Sequence, residues 1–130
     1  MSLGSSLGRS AFNALTNDDL KKRWRKDDIS KKEIFDLVGE YERAIDAGDE
    51  KQKGWPKDPY NVYGLSKLAI NTYHSALSRN EDVRKKNIQV YVCCPGYVNT
   101  DMTNHQGVLS IEEGIRTPVL LIEAPFEVKN

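Results

Sequence analysis

The chain has 130 residues, 38% of them hydrophobic and 29% charged, and its 19 basic side chains balance 19 acidic ones. That length predicts one domain, and a zero formal charge excludes a net field that would gather nucleic acid or an anionic membrane. No apolar run approaches the roughly 20 residues a bilayer span requires, the opening Met1-Ser2-Leu3-Gly4-Ser5-Ser6 lacks the pattern of a secretory signal, and the adjacent Cys93 and Cys94 build no disulfide framework, so the chain is expected in a reducing compartment, the cytoplasm.

Residues 1–12 read as small and polar. From Thr16 to about Lys26 a helix is predicted: Thr16 or Asn17 can cap it, Asp18 and Asp19 suit its positive end, and Leu20 and Trp24 share a face. Ser30 followed by Glu33 is a capping-box pattern. The helix it starts carries Ile34, Leu37, Val38, Tyr41 and Ile45 as its apolar stripe and stops at Gly48. Residues 48–62 read as a loop, rich in the turn formers Gly54, Pro56, Asp58, Pro59 and Asn61. A further helix spans Tyr63 to Arg79. Ile88-Gln89-Val90-Tyr91-Val92-Cys93-Cys94 reads as a parallel-type strand buried on both faces, ended by Pro95-Gly96. Ile111 to Ile122 reads as a last helix opened by Ser110, with Pro118 inside it. A single buried strand leaves its backbone groups unpaired. A six-stranded doubly wound sheet at roughly 30 residues per unit also exceeds this length, so the partner strands are expected to be missing from this chain, supplied by another chain, or never formed.

Three elements carry chemistry. Tyr63 and Lys67 form a Tyr-x-x-x-Lys pair, which a helix places on one face. A phenol can donate a proton, and an ammonium one turn away stabilises the phenolate left behind. With six tyrosines in the chain, one such spacing arises by chance about as often as not. The Pro95-Gly96 turn follows the strand at the end where doubly wound sheets bind ligands, and a glycine there lets backbone approach one closely. Val98 and Thr100 follow in position to offer backbone groups and a hydroxyl. Ser5-Ser6 offers hydroxyls that can donate to a carbonyl oxygen as charge develops on it. His74 and His105 lack carboxylate or cysteine partners at ligand spacing, which predicts no metal site. Cys93 and Cys94 read as small core residues. The Lys21-Lys22-Arg23 and Lys85-Lys86 runs read as solvated faces.

In combination and order, these elements resemble the short-chain dehydrogenase/reductase family, and within it the NADPH-dependent carbonyl reductases. Gly54-Trp55-Pro56, Tyr63-Gly64-Leu65-Ser66-Lys67 and Cys93-Cys94-Pro95-Gly96-Tyr97-Val98-Asn99-Thr100-Asp101-Met102 carry the likeness, and Glu112-Glu113-Gly114 and Thr117-Pro118 continue it. The likeness runs from about Ser5 to Ala124. It implies an α/β fold, the C-terminal part of a doubly wound Rossmann-type parallel sheet. The whole of residues 1–130 would form one partial domain, with a helical insertion and loop over 13–62 before the catalytic helix.

The resemblance also implies roles. Tyr63 would be the general acid in hydride transfer from NADPH to a ketone, aldehyde or quinone. Lys67 would hold the nicotinamide ribose and ease proton donation by Tyr63. Ser6, more than Ser5, would orient the carbonyl. Pro95, Gly96, Val98, Asn99 and Thr100 would line the cofactor's nicotinamide and pyrophosphate side. The insertion implies a monomer. The family's glycine-rich turn and its basic NADPH-selecting residues have no counterpart here, and a final strand is implied after Phe126. Tyr60 is a near neighbour of Tyr63, but only Tyr63 has a lysine four positions on. The alternative is a non-catalytic remnant acting through its helical segment as an interaction module.

Overall fold

The computed structural model describes residues 1–123; the strand implied after Phe126 lies outside the described residues. The chain opens with β1 (Ser2–Leu3), α1 (Leu7–Ala14), α2 (Asp18–Trp24) and α3 (Lys31–Ala47). It continues through α4 (Pro59–Arg79), α5 (Glu81–Lys85) and β2 (Val92–Cys93) to α6 (Ile111–Glu123), with a 3-10 turn at Asp101–Thr103.

The expected caps form as local chemistry dictates. The Asn17 side chain accepts from the Asp19 and Leu20 amides, which starts α2 two residues after Thr16. Ser30 and Glu33 complete the reciprocal capping box of α3, and Gly48 ends that helix in the left-handed region at φ 68°. Lys26 at 2.8 Å, with the Ser30 amide and hydroxyl, holds the Glu33 carboxyl down to about 2. A carboxylate whose native value lies below its unfolded value of about 4.3 stabilises the fold above that value. The contribution fades as pH falls from there towards the native value. Glu33→Gln should therefore lower the melting temperature at neutral pH, and the gap to the parent should close between about pH 4 and pH 2. Thermal melts across that range measure it; a gap that stays constant would show that Glu33 acts through something other than its charge.

Helices α1 and α3 both pack on α4, and α2 seats Leu20 and Trp24 in the same core. Leu15, Leu37 and Leu65 are the most deeply buried large side chains, each contributing roughly 1.5–3 kcal/mol. Tyr41 stacks at a tilt on Trp55, ring centroids 5.3 Å apart, and its hydroxyl donates to the Pro56 carbonyl at 3.4 Å. The Gly54-Trp55-Pro56 motif is thus an anchor: it fixes the loop whose next turn, capped by Asp58, begins α4.

Several expectations need correction. Residues 7–14 are a helix, not a polar stretch; Gly8, Ala11 and Phe12 bury one face, a spacing of three and four that the small residues hide. Helix α4 starts at Pro59 rather than Tyr63, because Asp58 caps it and Pro59 fits the first turn, where its missing amide costs nothing. Asn80 caps a short α5 that sequence reading left unassigned. In α3 the stripe passes through buried Ala44, leaving Ile45 exposed.

The strand is the largest departure. Only Val92–Cys93 is extended and paired, running parallel to Ser2–Leu3 in the register Ser2 to Val92 and Leu3 to Cys93. Cys93 is buried, but Val92 is 37% and Ile88 54% exposed. A strand is buried on both faces only when layers cover both, and among the described residues β2 has β1 as its one neighbour. Cys94 is exposed rather than in the core. Helix α6 continues through Pro118 after Ser110 and Glu113 form its opening box. No described helix is long and apolar enough to cross a membrane.

Candidate active site

Three elements bring the expected residues to one corner. Tyr63 lies in the second turn of α4, and Lys67 one turn further on, its Nζ 5.6 Å from the Tyr63 ring centroid. Tyr63 is 44% exposed and Tyr60 77%; Tyr60 lies in the first turn. The Ser66 hydroxyl donates to the Tyr63 carbonyl at 2.7 Å and so stays on the helix backbone.

The second element is the turn from β1 into α1. Ser6 is the residue before α1, and the Ser5 hydroxyl accepts from the Leu7 amide at 3.1 Å. Two glycines let this turn reach α4. A Cβ on Gly64 would sit 2.5 Å from the Leu7 carbonyl, and one on Gly8 would sit 2.9 Å from the Leu68 amide and the Lys67 carbonyl carbon. Backbone therefore meets backbone between α1 and the Tyr63–Lys67 stretch, as only small residues allow.

The third element follows β2. Gly96 takes φ 85°, a left-handed conformation that suits glycine, and a Cβ there would meet Leu109 at 2.5 Å. The Cys94 thiol lies 3.9 Å from the Ser6 hydroxyl, which ties this turn to the serine turn. Burial opposes ionisation of Cys94, yet hydrogen bonds with the Ser6 and Gly96 amides and the Ser6 and Ser5 hydroxyls outweigh it and hold the thiol below its ordinary value.

The expected cofactor-lining run is partly committed to its own loop. The Val98 carbonyl accepts from the Thr103 hydroxyl at 2.7 Å, the Asn99 amide donates to Leu109 at 2.8 Å, and the Thr100 amide donates to Thr103 at 3.1 Å. These bonds shape the loop and correct the expectation that its backbone is free for a ligand. His105 also departs from expectation: its ring contacts Asp101 at 3.1 Å and Asn99 at 3.0 Å. Among the described residues no cluster of metal-ligating side chains forms.

Asn71 was not singled out in the sequence. One turn beyond Lys67 on α4, its Nδ2 donates to the Ser5 carbonyl at 3.0 Å. The signal was available: Tyr63, Lys67 and Asn71 recur every four residues on one face.

A parallel strand pair, a turn after each strand and a Tyr-x-x-x-Lys helix are features of a Rossmann-type fold. The family model of the short chain dehydrogenases matches residues 52–108. The chain is thus similar to the short-chain dehydrogenase/reductase family. Among curated proteins it is similar to carbonyl reductase (NADPH) 3 of Rattus norvegicus, 34% identical over 84% of this chain and 39% of that protein. It is also similar to carbonyl reductase (NADPH) 1 of Mus musculus, 32% identical over 86% of this chain and 40% of that protein. The chain thus spans about two fifths of the length of these relatives. The solved structure of salutaridine reductase from Papaver somniferum shares the fold, with a TM-score of 0.82 and 24% identity over 97% of this chain and 41% of that one. These findings place the chain as a C-terminal part of the family's Rossmann-type fold.

Proposed function

We propose that the complete polypeptide carrying these residues is an NADPH-dependent carbonyl reductase acting on a ketone, aldehyde or quinone. The observation that carries this reading is the convergence of Tyr63 and Lys67 with the Ser6 turn and the Gly96 turn at one corner. The residues fit the cofactor's nicotinamide end: an ammonium and a phenol share one helix face, and the Gly96 turn is tied to the serine turn through Cys94 and Ser6.

When bound, the reduced nicotinamide supplies the hydride. Ser6 donates its hydroxyl proton in a hydrogen bond to the substrate oxygen and orients it. As the carbonyl carbon gains the hydride, its π pair moves onto oxygen, and Tyr63 gives that oxygen its phenolic proton. Lys67 stabilises the charge left on the phenol oxygen and holds the ribose hydroxyls. Gly96 and Thr100 line the nicotinamide side. The product is the alcohol and the oxidised cofactor. The reading includes a cytoplasmic monomer, with α3 covering one face of α4.

Turnover of NADPH with a panel of ketones, aldehydes and quinones, followed by loss of nicotinamide absorbance, tests the activity. In the same assay Ser6→Ala should lower kcat on the order of 10²-fold, the loss of one donor to a developing oxyanion. Ser5→Ala should cost much less, because the Ser5 hydroxyl is bound to the Leu7 amide. Equal losses at both serines, or none at Ser6, would refute the assignment.

A further inference from the structure

We propose that Asn71 is a positioning residue for this reaction, its carboxamide locking the peptide between Ser5 and Ser6 to the helix that carries Tyr63 and Lys67. The inference rests on the reading of Ser6 as the carbonyl-orienting group.

Asn71 and Ser5 lie 66 positions apart in the chain, yet Asn71 Nδ2 donates to the Ser5 carbonyl at 3.0 Å. That carbonyl and the Ser6 amide belong to one planar peptide unit. Fixing the carbonyl therefore fixes the plane from which the Ser6 side chain projects. The Gly8 amide donates to the same oxygen at 3.1 Å, so both of its lone pairs are engaged, one from α1 and one from α4.

The surroundings are shaped around this carboxamide. A Cβ on Gly8 would lie 2.7 Å from Asn71 Nδ2, and one on Gly4 would collide with Asn71 Oδ1. Asn71 Oδ1 is buried and has no hydrogen-bond partner among the described residues. A buried, unpartnered acceptor costs stability that an aliphatic side chain of this shape would avoid. The bond to Ser5 is what the carboxamide contributes in return. Tyr63 and Ser6 must reach the same carbonyl oxygen, and a misplacement of about 1 Å can cost 10²-fold. Tyr63, Lys67 and Asn71 share one rigid helix, so Asn71 sets the distance between that helix and the serine turn.

The test is steady-state kinetics on the complete polypeptide with NADPH and its best carbonyl substrate. Asn71→Asp keeps the volume but turns a carboxylate oxygen towards the Ser5 carbonyl. It should lower kcat about tenfold at neutral pH and leave the KM for NADPH unchanged. Relative to the parent at each pH, activity should return on acidification, because the protonated carboxyl regains a donor. In a Ser6→Ala background the substitution should cost nothing further, since the group it positions is gone. A full tenfold additional loss in the double variant overturns the proposal, as does a loss that appears in the cofactor KM. If circular dichroism shows that Asn71→Asp does not fold, Asn71→Ala is read in the same cycle with the same criteria. If Ser6→Ala itself leaves turnover intact, the reaction reading fails and the inference falls with it; a loss at Ser6 without coupling to Asn71 removes the inference alone.

Discussion

In the complete polypeptide, Tyr63→Phe is expected to lower kcat by about 10²-fold or more, the usual size of a general-acid contribution, with little change in cofactor affinity. The substitution removes the hydroxyl and keeps the ring, so the helix packing and the Lys67 contact at 5.6 Å from the ring centroid have no reason to change. The structure sharpens the control. Tyr60 precedes Tyr63 by three positions, which puts the two on neighbouring faces of α4. Tyr60 is 77% exposed, its hydroxyl makes no hydrogen bond among the described residues, and it has no lysine one turn on. Tyr60→Phe should be nearly silent. Single-turnover hydride transfer, with cofactor binding measured separately by nicotinamide fluorescence, distinguishes chemistry from binding. If Tyr60→Phe abolishes turnover and Tyr63→Phe does not, the helix is misread and the mechanism goes with it.

Lys67→Ala is expected to damage two terms where Tyr63→Phe damages one. A lysine that both holds the ribose and stabilises the phenolate acts in the ground state and in the transition state. Its loss should raise the KM for NADPH and lower kcat, each by about tenfold or more, so that kcat/KM falls on the order of 10²- to 10³-fold. Lys67→Arg should recover part of the binding, because the positive charge remains, but less of the chemistry, because the planar guanidinium places its charge differently. A variant that changes KM alone would confine Lys67 to cofactor binding. The structure makes a folding artefact easy to separate: Lys67 is half-buried on the rim of α4, whereas its neighbour Leu68 carries the packing.

Much of this protein is written locally. Asn17, the Ser30–Glu33 box and Gly48 bracket two helices through bonds between residues within a few positions of one another. Those bonds form wherever the segment does, so the sequence alone determined α2 and α3. The Tyr63–Lys67 pair is equally local, because a helix makes a four-residue spacing a shared face whatever surrounds it. The order of Ser6, Tyr63, Lys67, Pro95 and Gly96 carries the likeness to the short-chain dehydrogenase/reductase family in the sequence itself.

What the tertiary structure alone decided concerns contacts between distant parts of the chain. Residues 1–12 read as small and polar because glycine, serine and alanine carry little hydrophobic signal, yet the close approach of α1 to α4 requires that smallness. The strand at Ile88–Cys94 was read from its β-branched run, but how much of a strand forms depends on the neighbours that pair with it. Here only Val92–Cys93 finds a partner, in Ser2–Leu3. The loop after Gly96 turned its own amides and carbonyls inward onto Thr103 and Leu109, which no spacing rule foretells. The join between Asn71 and Ser5 spans 66 positions. A hydrogen bond across such a distance exists only once α1, β1 and α4 have packed, so the sequence supplied the groups and the packing brought them together.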